Sequence, residues 1–251
     1  MKKIVLVTGA AGGIGRILVE VLASANWDVI GSDHPMVKVD QCTRRQCIAW
    51  IPADLSILSR DSDNMEKFVM NVFMATCKSD ISAIVHNAAL QRLDNFEKLS
   101  INDWDETIAV NLMAPVAINK AFMDQLKRQK GSIVHIGSIH SQLTKPDFSA
   151  YATSKAALSG LTRAMAVELG DSIRVNAIEP AAVATPMLEA GFTNNEELRA
   201  KLAACHPTNS IGSPEDVAKA VLFLLDPLCS FLNGCILSLG GGIHSRLHDP
   251  E

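Results

Sequence analysis

The apolar run Ile4-Val5-Leu6-Val7 stops at Thr8-Gly9-Ala10-Ala11-Gly12-Gly13-Ile14-Gly15, and helical patterning begins at once. A buried strand feeding a glycine-rich turn that opens a helix constrains this chain more than any other feature. Small residues there let the backbone approach a pyrophosphate, and the helix N-terminus presents free N–H groups and the positive end of its dipole to it. Gly9, Gly13, Ile14 and Gly15 are the candidate contacts. The competing reading is a tight turn with no ligand, so the rest of the chain has to decide.

Short apolar runs then alternate with longer stretches of helical period. Strands are expected at Ile4–Thr8, Asp28–Asp33, Cys47–Ala53, Ile81–Asn87, Ser132–Ser138, Ile173–Ile178 and Cys235–Leu239. Several are β-branched and apolar throughout, the mark of strands buried on both faces of a parallel sheet. Helices are expected near 13–26, 61–77, 102–129, 149–170, 195–204 and 214–226. The regular alternation implies right-handed crossovers and an α/β fold with a doubly wound parallel sheet of about seven strands. No linker divides residues 1–251, so a single domain is expected. The least regular stretch, Thr185–Ser213, holds Pro186, Gly191, Pro207 and Gly212. A connection of that length is expected to be a substrate lid over about 186–212, the alternative being a surface excursion with a short helix.

Composition excludes several classes. The 251 residues carry a net charge of −4 with no basic stripe, which gives no support to a nucleic-acid partner. No apolar run reaches membrane-spanning length, and the N-terminal run is too short for a signal peptide. Six cysteines at 42, 47, 77, 205, 229 and 235 form no CxxC pair and no metal-ligand spacing. Reduced thiols in a cytoplasmic protein, with no metal, are the expectation.

Asp33 ends the second strand 18 residues after Gly15. A carboxylate there can accept from both adenosine ribose hydroxyls and repels a 2′-phosphate. His34 and Pro35 follow it, Gly12 is not basic, and Arg16 should point along the first helix. NAD is therefore expected over NADP. Asp54, followed by Leu55, ends the third strand and suits an adenine amino group or, equally, a helix cap. Asn87 and Ala88 end the fourth strand and would pass close to the adenosine.

Tyr151, the single tyrosine, stands four residues before Lys155, so the two share a helix face. Phenol is too weak an acid to serve as a base near neutrality; a neighbouring ammonium favours the phenolate and makes Tyr151 a plausible proton donor and acceptor. Ser138 closes the fifth strand 13 residues upstream, where ligands gather in open α/β sheets. Asn111 lies in an otherwise apolar helical stretch, where an amide needs a partner or a task.

Together these residues resemble the short-chain dehydrogenase/reductase family of typical length, over nearly the whole chain from Thr8 to Gly240-Gly241-Gly242. The resemblance implies a Rossmann fold and hydride transfer between a nicotinamide cofactor and a secondary alcohol or ketone. By resemblance, Ser138 polarises the substrate oxygen and Tyr151 transfers the proton. Lys155 holds the nicotinamide ribose and depresses the Tyr151 pKa. Asn111 keeps a relay water, and Val183 and Thr185 contact the carboxamide. A homotetramer or dimer is also implied. The chain departs from the family at Ala89 and Ala181, where glycine is common.

Gln91, His140, Ser141, Gln142, Phe148, Met187 and Leu188 flank these segments as candidate substrate contacts. The polar set favours a small hydroxylated substrate, a sugar or hydroxy acid. Two other readings compete. A sugar-nucleotide epimerase or dehydratase shares the tyrosine–lysine pair but needs a further C-terminal domain. A non-catalytic NAD-binding regulatory protein would have no use for Asn111, Ser138, Tyr151 and Lys155 together.

Overall fold

The structure is a computed structural model and describes residues 2–192 and 195–247. Seven parallel strands form one sheet: β1 (Ile4–Thr8), β2 (Asp28–Ser32), β3 (Cys47–Trp50), β4 (Ala83–His86), β5 (Ser132–Ile136), β6 (Arg174–Pro180) and β7 (Ile236–Leu239). Their order across the sheet is β3-β2-β1-β4-β5-β6-β7. The winding reverses between β1 and β4, and that reversal opens a crevice at the carboxyl ends of the strands. This is the doubly wound Rossmann arrangement expected from the alternation.

Each central strand is buried on both faces. Val5 and Val7 join a core with Val29, Val85, Val134 and Ile178, covered by α1 (Gly13–Ser24) and α11 (Pro214–Leu225). Their neighbours Ile4 and Leu6 enter the opposite core with Ile84, Ile133 and Val175. Alternate residues of a strand point to opposite faces, so a continuous apolar run feeds two cores at once. The second core includes Phe68 of α4 (Ser62–Ala75) and Phe122, whose rings meet edge to face at 6.3 Å.

Where the structure departs from the expected elements, local chemistry accounts for it. The expected helix over 102–129 is divided into α5 (Ile101–Ile108), a π-turn at Ala109–Met113, α6 (Ala114–Ala121) and α7 (Met123–Gln129). Pro115 has no N–H to continue the α-helical ladder, and a π-turn absorbs the mismatch. Short helices that periodicity alone does not reveal appear at α2 (Gln41–Gln46), α3 (Leu55–Leu58) and α9 (Pro186–Ala190). Each is capped by a side chain, from Asp40, Asp54 and Thr185 respectively. The remaining helices are α8 (Ser149–Leu169) and α10 (Glu196–Ala204).

Candidate active site

The glycine turn is held open by its own lack of side chains. Gly9 sits at φ +64°, and a Cβ there would lie 2.7 Å from the Ala88 Cα. A Cβ on Gly15 would run into the Gly9 carbonyl oxygen. Gly13 lets Thr185 approach: an added Cβ would lie 2.9 Å from the Thr185 Cβ and 2.8 Å from Pro186 Cδ. The connection leaving β6 therefore lies against the first turn of α1. Ile14 is partly buried against the core there, and Val183 is buried and bridges to Gly212.

Side chains lock the strand ends around this turn. Asn87 Nδ2 donates to the Gly9 carbonyl at 2.8 Å, and the Asn87 and Ala88 amides each donate to Thr8 Oγ1 at 3.2 Å. Asp33 accepts from the Ala11 amide (Oδ2, 2.8 Å) and from the His34 amide (Oδ1, 2.8 Å), which holds its carboxylate beside the turn. Asp54 accepts from the Ser56 amide and hydroxyl and stands 3.3 Å from His34 Nε2. Burial raises the Asp54 pKa, but the Ser56 hydrogen bonds and the His34 charge outweigh it and leave the group below its ordinary value. Leu55, the first residue of α3, is partly buried against the core.

The second group of residues converges beyond β4 and β5. Ser138, 7% exposed, follows β5 in extended conformation. Its Oγ accepts from the His140 amide at 3.2 Å, which leaves the hydroxyl proton free to favour the ionised Tyr151 phenol, whose pKa Ser138 pulls down against the effect of burial. Lys155 is 2% exposed; its Nζ donates to the Ile136 carbonyl at 2.8 Å and lies 5.6 Å from the centre of the Tyr151 ring. Asn111 sits in the π-turn. Its Oδ1 accepts from the Leu90 amide (2.7 Å), and its Nδ2 donates to the Leu90 carbonyl (2.9 Å) and Ser154 Oγ (2.9 Å). Ser154 in turn donates to the Tyr151 carbonyl at 2.7 Å. Asn111 is thus tied to the tyrosine's own helical turn.

Burial controls the ionisation here. It pulls Lys155 down to about 8. It holds Tyr151 above its ordinary value, with the Ser138 hydrogen bond pulling the other way. The expected depression of Tyr151 by Lys155 is therefore not what this environment gives: desolvation outweighs it, and the lowering influence comes from Ser138.

Of the candidate substrate contacts, His140 and Phe148 stack with parallel rings 4.2 Å apart, and both meet Tyr151 edge-on, at 5.8 Å and 6.2 Å. Burial and the Lys145 charge push His140 down, so its ring is neutral near pH 7. Gln91 is partly buried on the loop after β4, and Leu188 is partly buried in α9. Met187 belongs to α9, and its side chain lies outside what the structure describes, as do Thr193, Asn194 and His248. Gln142 is already engaged: its Nε2 donates to Glu179 at 2.8 Å.

Sequence reasoning passed over Glu179, Ser154 and Thr8. The signal for Glu179 was present. A carboxylate in the apolar strand Arg174–Pro180 needs partners for the same reason as Asn111 does.

Known proteins are similar to this chain over nearly its whole length. A family model described as enoyl-(acyl carrier protein) reductase matches residues 9–244. The 3-oxoacyl-[acyl-carrier-protein] reductase of Aquifex aeolicus is 31% identical over 96% of this chain and 97% of its own length. The solved aldohexose dehydrogenase of Thermoplasma acidophilum is 29% identical, with a TM-score of 0.87 over 100% of this chain and 97% of that one. ElxO, solved with NADP bound, shares the fold at 24% identity and a TM-score of 0.86, over 98% of this chain and 100% of its own. The chain belongs to the short-chain dehydrogenase/reductase family, whose members are oxidoreductases that use nicotinamide cofactors. No described helix is long and apolar enough to cross a membrane.

Proposed function

We propose that this protein is an NAD-dependent dehydrogenase that interconverts a secondary alcohol and its ketone, with a sugar or hydroxy acid as the substrate class. The observation that carries the reading is the convergence of Ser138, Tyr151, Lys155 and Asn111 at the carboxyl ends of β4 and β5. These ends lie beside a glycine turn with no room for side chains.

The turn fits a dinucleotide: Gly9, Gly13, Ile14 and Gly15 would face the pyrophosphate, and Asp33 the adenosine ribose. Asp54, Leu55, Asn87 and Ala88 would border the adenosine, and Val183, Thr185, Tyr151 and Lys155 the nicotinamide half. When bound, nicotinamide supplies the hydride acceptor or donor. The rest falls to the chain. Ser138 Oγ donates to the substrate oxygen and orients it. Tyr151 Oη takes the hydroxyl proton in oxidation and returns it in reduction. Lys155 holds a positive charge beneath the ring, and Asn111 anchors the turn that carries Tyr151. His140 and Phe148 wall the substrate side, with Gln91 bordering it. The NAD preference rests on Asp33 and on the absence of Lys or Arg at 34 and 35.

Segment 186–212 serves as the lid. Its two helices are joined by the Arg199–Glu189 ion pair at 3.1 Å. Its outgoing end is tied to the tail, where Arg246 donates to the Ala204 carbonyl at 3.0 Å and the Thr208 amide to the Gly241 carbonyl at 3.1 Å, beside a cavity of about 440 Å³. The protein assembles as a homotetramer or dimer. Its six thiols are free, which suits a reducing, cytoplasmic setting.

The test is NADH formation at mildly alkaline pH across sugars, hydroxy acids and secondary alcohols, with NADP in parallel. Turnover with NAD that falls at least about a thousandfold in Tyr151→Phe is the expected result. Full activity in Tyr151→Phe would overturn the mechanism. Tight NAD binding with no turnover on any substrate would favour a regulatory protein.

A further inference from the structure

Glu179 is completely buried, and none of the proposed steps uses it. One carboxylate oxygen accepts from Ser159 Oγ at 2.5 Å and the other from Gln142 Nε2 at 2.8 Å. Ser159 stands one helical turn after Lys155 on α8, and its hydroxyl also reaches the Lys155 carbonyl at 3.2 Å. Gln142 closes the short 3₁₀ turn Ile139–Ser141 that begins at Ser138. Although Gln142 lies at the surface, its amide is turned inward to the carboxylate.

The Ser138 turn is therefore clamped at both ends to adjacent residues of β6. At its start, the Gly137 amide donates to the Ile178 carbonyl at 2.7 Å. At its end, Gln142 is held by the Glu179 side chain. Gly137 makes room for the clamp, since a Cβ there would lie 3.0 Å from Glu179 Cγ. A buried carboxylate with two donors is costly to leave half-satisfied, so it fixes the position of whatever holds it. Here that is the loop carrying Ser138 and the helix carrying Tyr151 and Lys155.

We propose that Glu179 is a positioning residue that sets the Ser138 hydroxyl against the Tyr151 phenol by tying Gln142 to Ser159. The inference rests on the proposed pairing of Ser138 with Tyr151 but needs no turnover to be tested. Tyr151 is the only tyrosine in the chain, so fluorotyrosine incorporation gives one fluorine NMR signal that reports its ionisation. Fluorination also brings the titration down to a pH range gentler on the fold.

Glu179→Gln removes the charge and turns one of the two acceptors into a donor, so the side chain can no longer accept from both Ser159 and Gln142 and the clamp is weakened. The expected result is an upward shift of the Tyr151 midpoint by about half a unit or more, as in Ser138→Ala. Adding Glu179→Gln to Ser138→Ala should give little further shift. The exchange Glu179→Gln with Gln142→Glu restores a donor facing an acceptor and should return the midpoint to the wild-type value. An unchanged midpoint in folded Glu179→Gln, a shift fully additive with Ser138→Ala, or no rescue by the exchange would each overturn the proposal. Should Glu179→Gln not fold, Gln142→Ala reads the same link from the surface, with the same expected shift and the same refutation. Absence of turnover in the wild type would sink the dehydrogenase reading and leave this titration to stand or fall by itself.

Discussion

Lys155 brings an ammonium into a buried site, with the Ile136 carbonyl as its acceptor. Its folded pKa of about 8 lies below the ordinary 10.5. Below about pH 8 both folded and unfolded chains carry the charge, and the folded state bears a desolvation cost of about 3 kcal/mol. That cost is relieved as pH rises from about 8 towards 10.5, because the folded state loses its proton first. Lys155→Met removes the charge and leaves the Ile136 carbonyl one partner short, a loss of about 1 kcal/mol. Urea denaturation of the free protein should find the variant about 2 kcal/mol more stable than wild type at pH 7, with the gain shrinking towards pH 10. A variant no more stable at pH 7 would show that the charge is accommodated after all. Asp33 carries the second expectation at this scale. Asp33→Ala removes the acceptor held beside the turn by the Ala11 and His34 amides, and the kcat/KM ratio of NAD to NADP should fall at least about tenfold. An unchanged ratio would remove Asp33 from cofactor choice. Tyr151, Lys155 and Asp33 were legible because each is marked by local spacing. Glu179 and Ser154 were not, because their partners lie 37, 20 and 43 residues away and only the folded sheet brings them together.

The same limit acts on whole elements. Each strand announced itself through its apolar run, but the helix over 102–129 was broken by a π-turn that periodicity does not register, and that turn is what aims Asn111 at Leu90 and Ser154. Register likewise pairs His86 of β4 with His135 of β5, a contact that no local pattern shows. Their rings lie 5.3 Å apart in the sheet centre. His86 Nε2 bonds Asn119 at 2.7 Å, and His135 Nδ1 bonds Thr162 at 2.8 Å. Burial drives His86 down to about 4 and His135 well below its ordinary value. Both are therefore neutral in the fold at pH 7, and the unfolded chain takes up protons first as pH falls below about 6.5. The stability is fully present above 6.5 and is lost as pH falls towards 4, by about 3 kcal/mol from His86 alone. Denaturation midpoints measured across this window should flatten in His86→Gln, which has no proton to gain. A slope identical to wild type would mean that His86 titrates normally.

For the whole molecule, the alternation of strand and helix, with right-handed crossovers, was enough for a doubly wound parallel sheet. It says nothing of which outer faces are covered by other copies. The family resemblance implies a homotetramer or dimer without saying which faces meet. Val167 of α8 is 86% exposed and Ile101 at the start of α5 is 77% exposed; beyond α11, Leu228 and Phe231 are 89% and 102% exposed. Contiguous exposed apolar patches mark association surfaces, and Val167 on α8 and Phe231 beyond α11 are the candidate centres of two. The proposed homotetramer, with dihedral symmetry, would need two such faces, each self-complementary across a two-fold axis. A carboxylate at either position would set like charges against each other in that assembly and leave the core of the free chain untouched. In sedimentation velocity, if the proposed tetramer uses both faces, Val167→Asp and Phe231→Asp should each reduce it to dimers, and the double variant should sediment as a monomer with its fold retained by circular dichroism. Wild-type protein that stays monomeric at every concentration, or variants that keep the wild-type assembly, would show that these residues face solvent in the working protein.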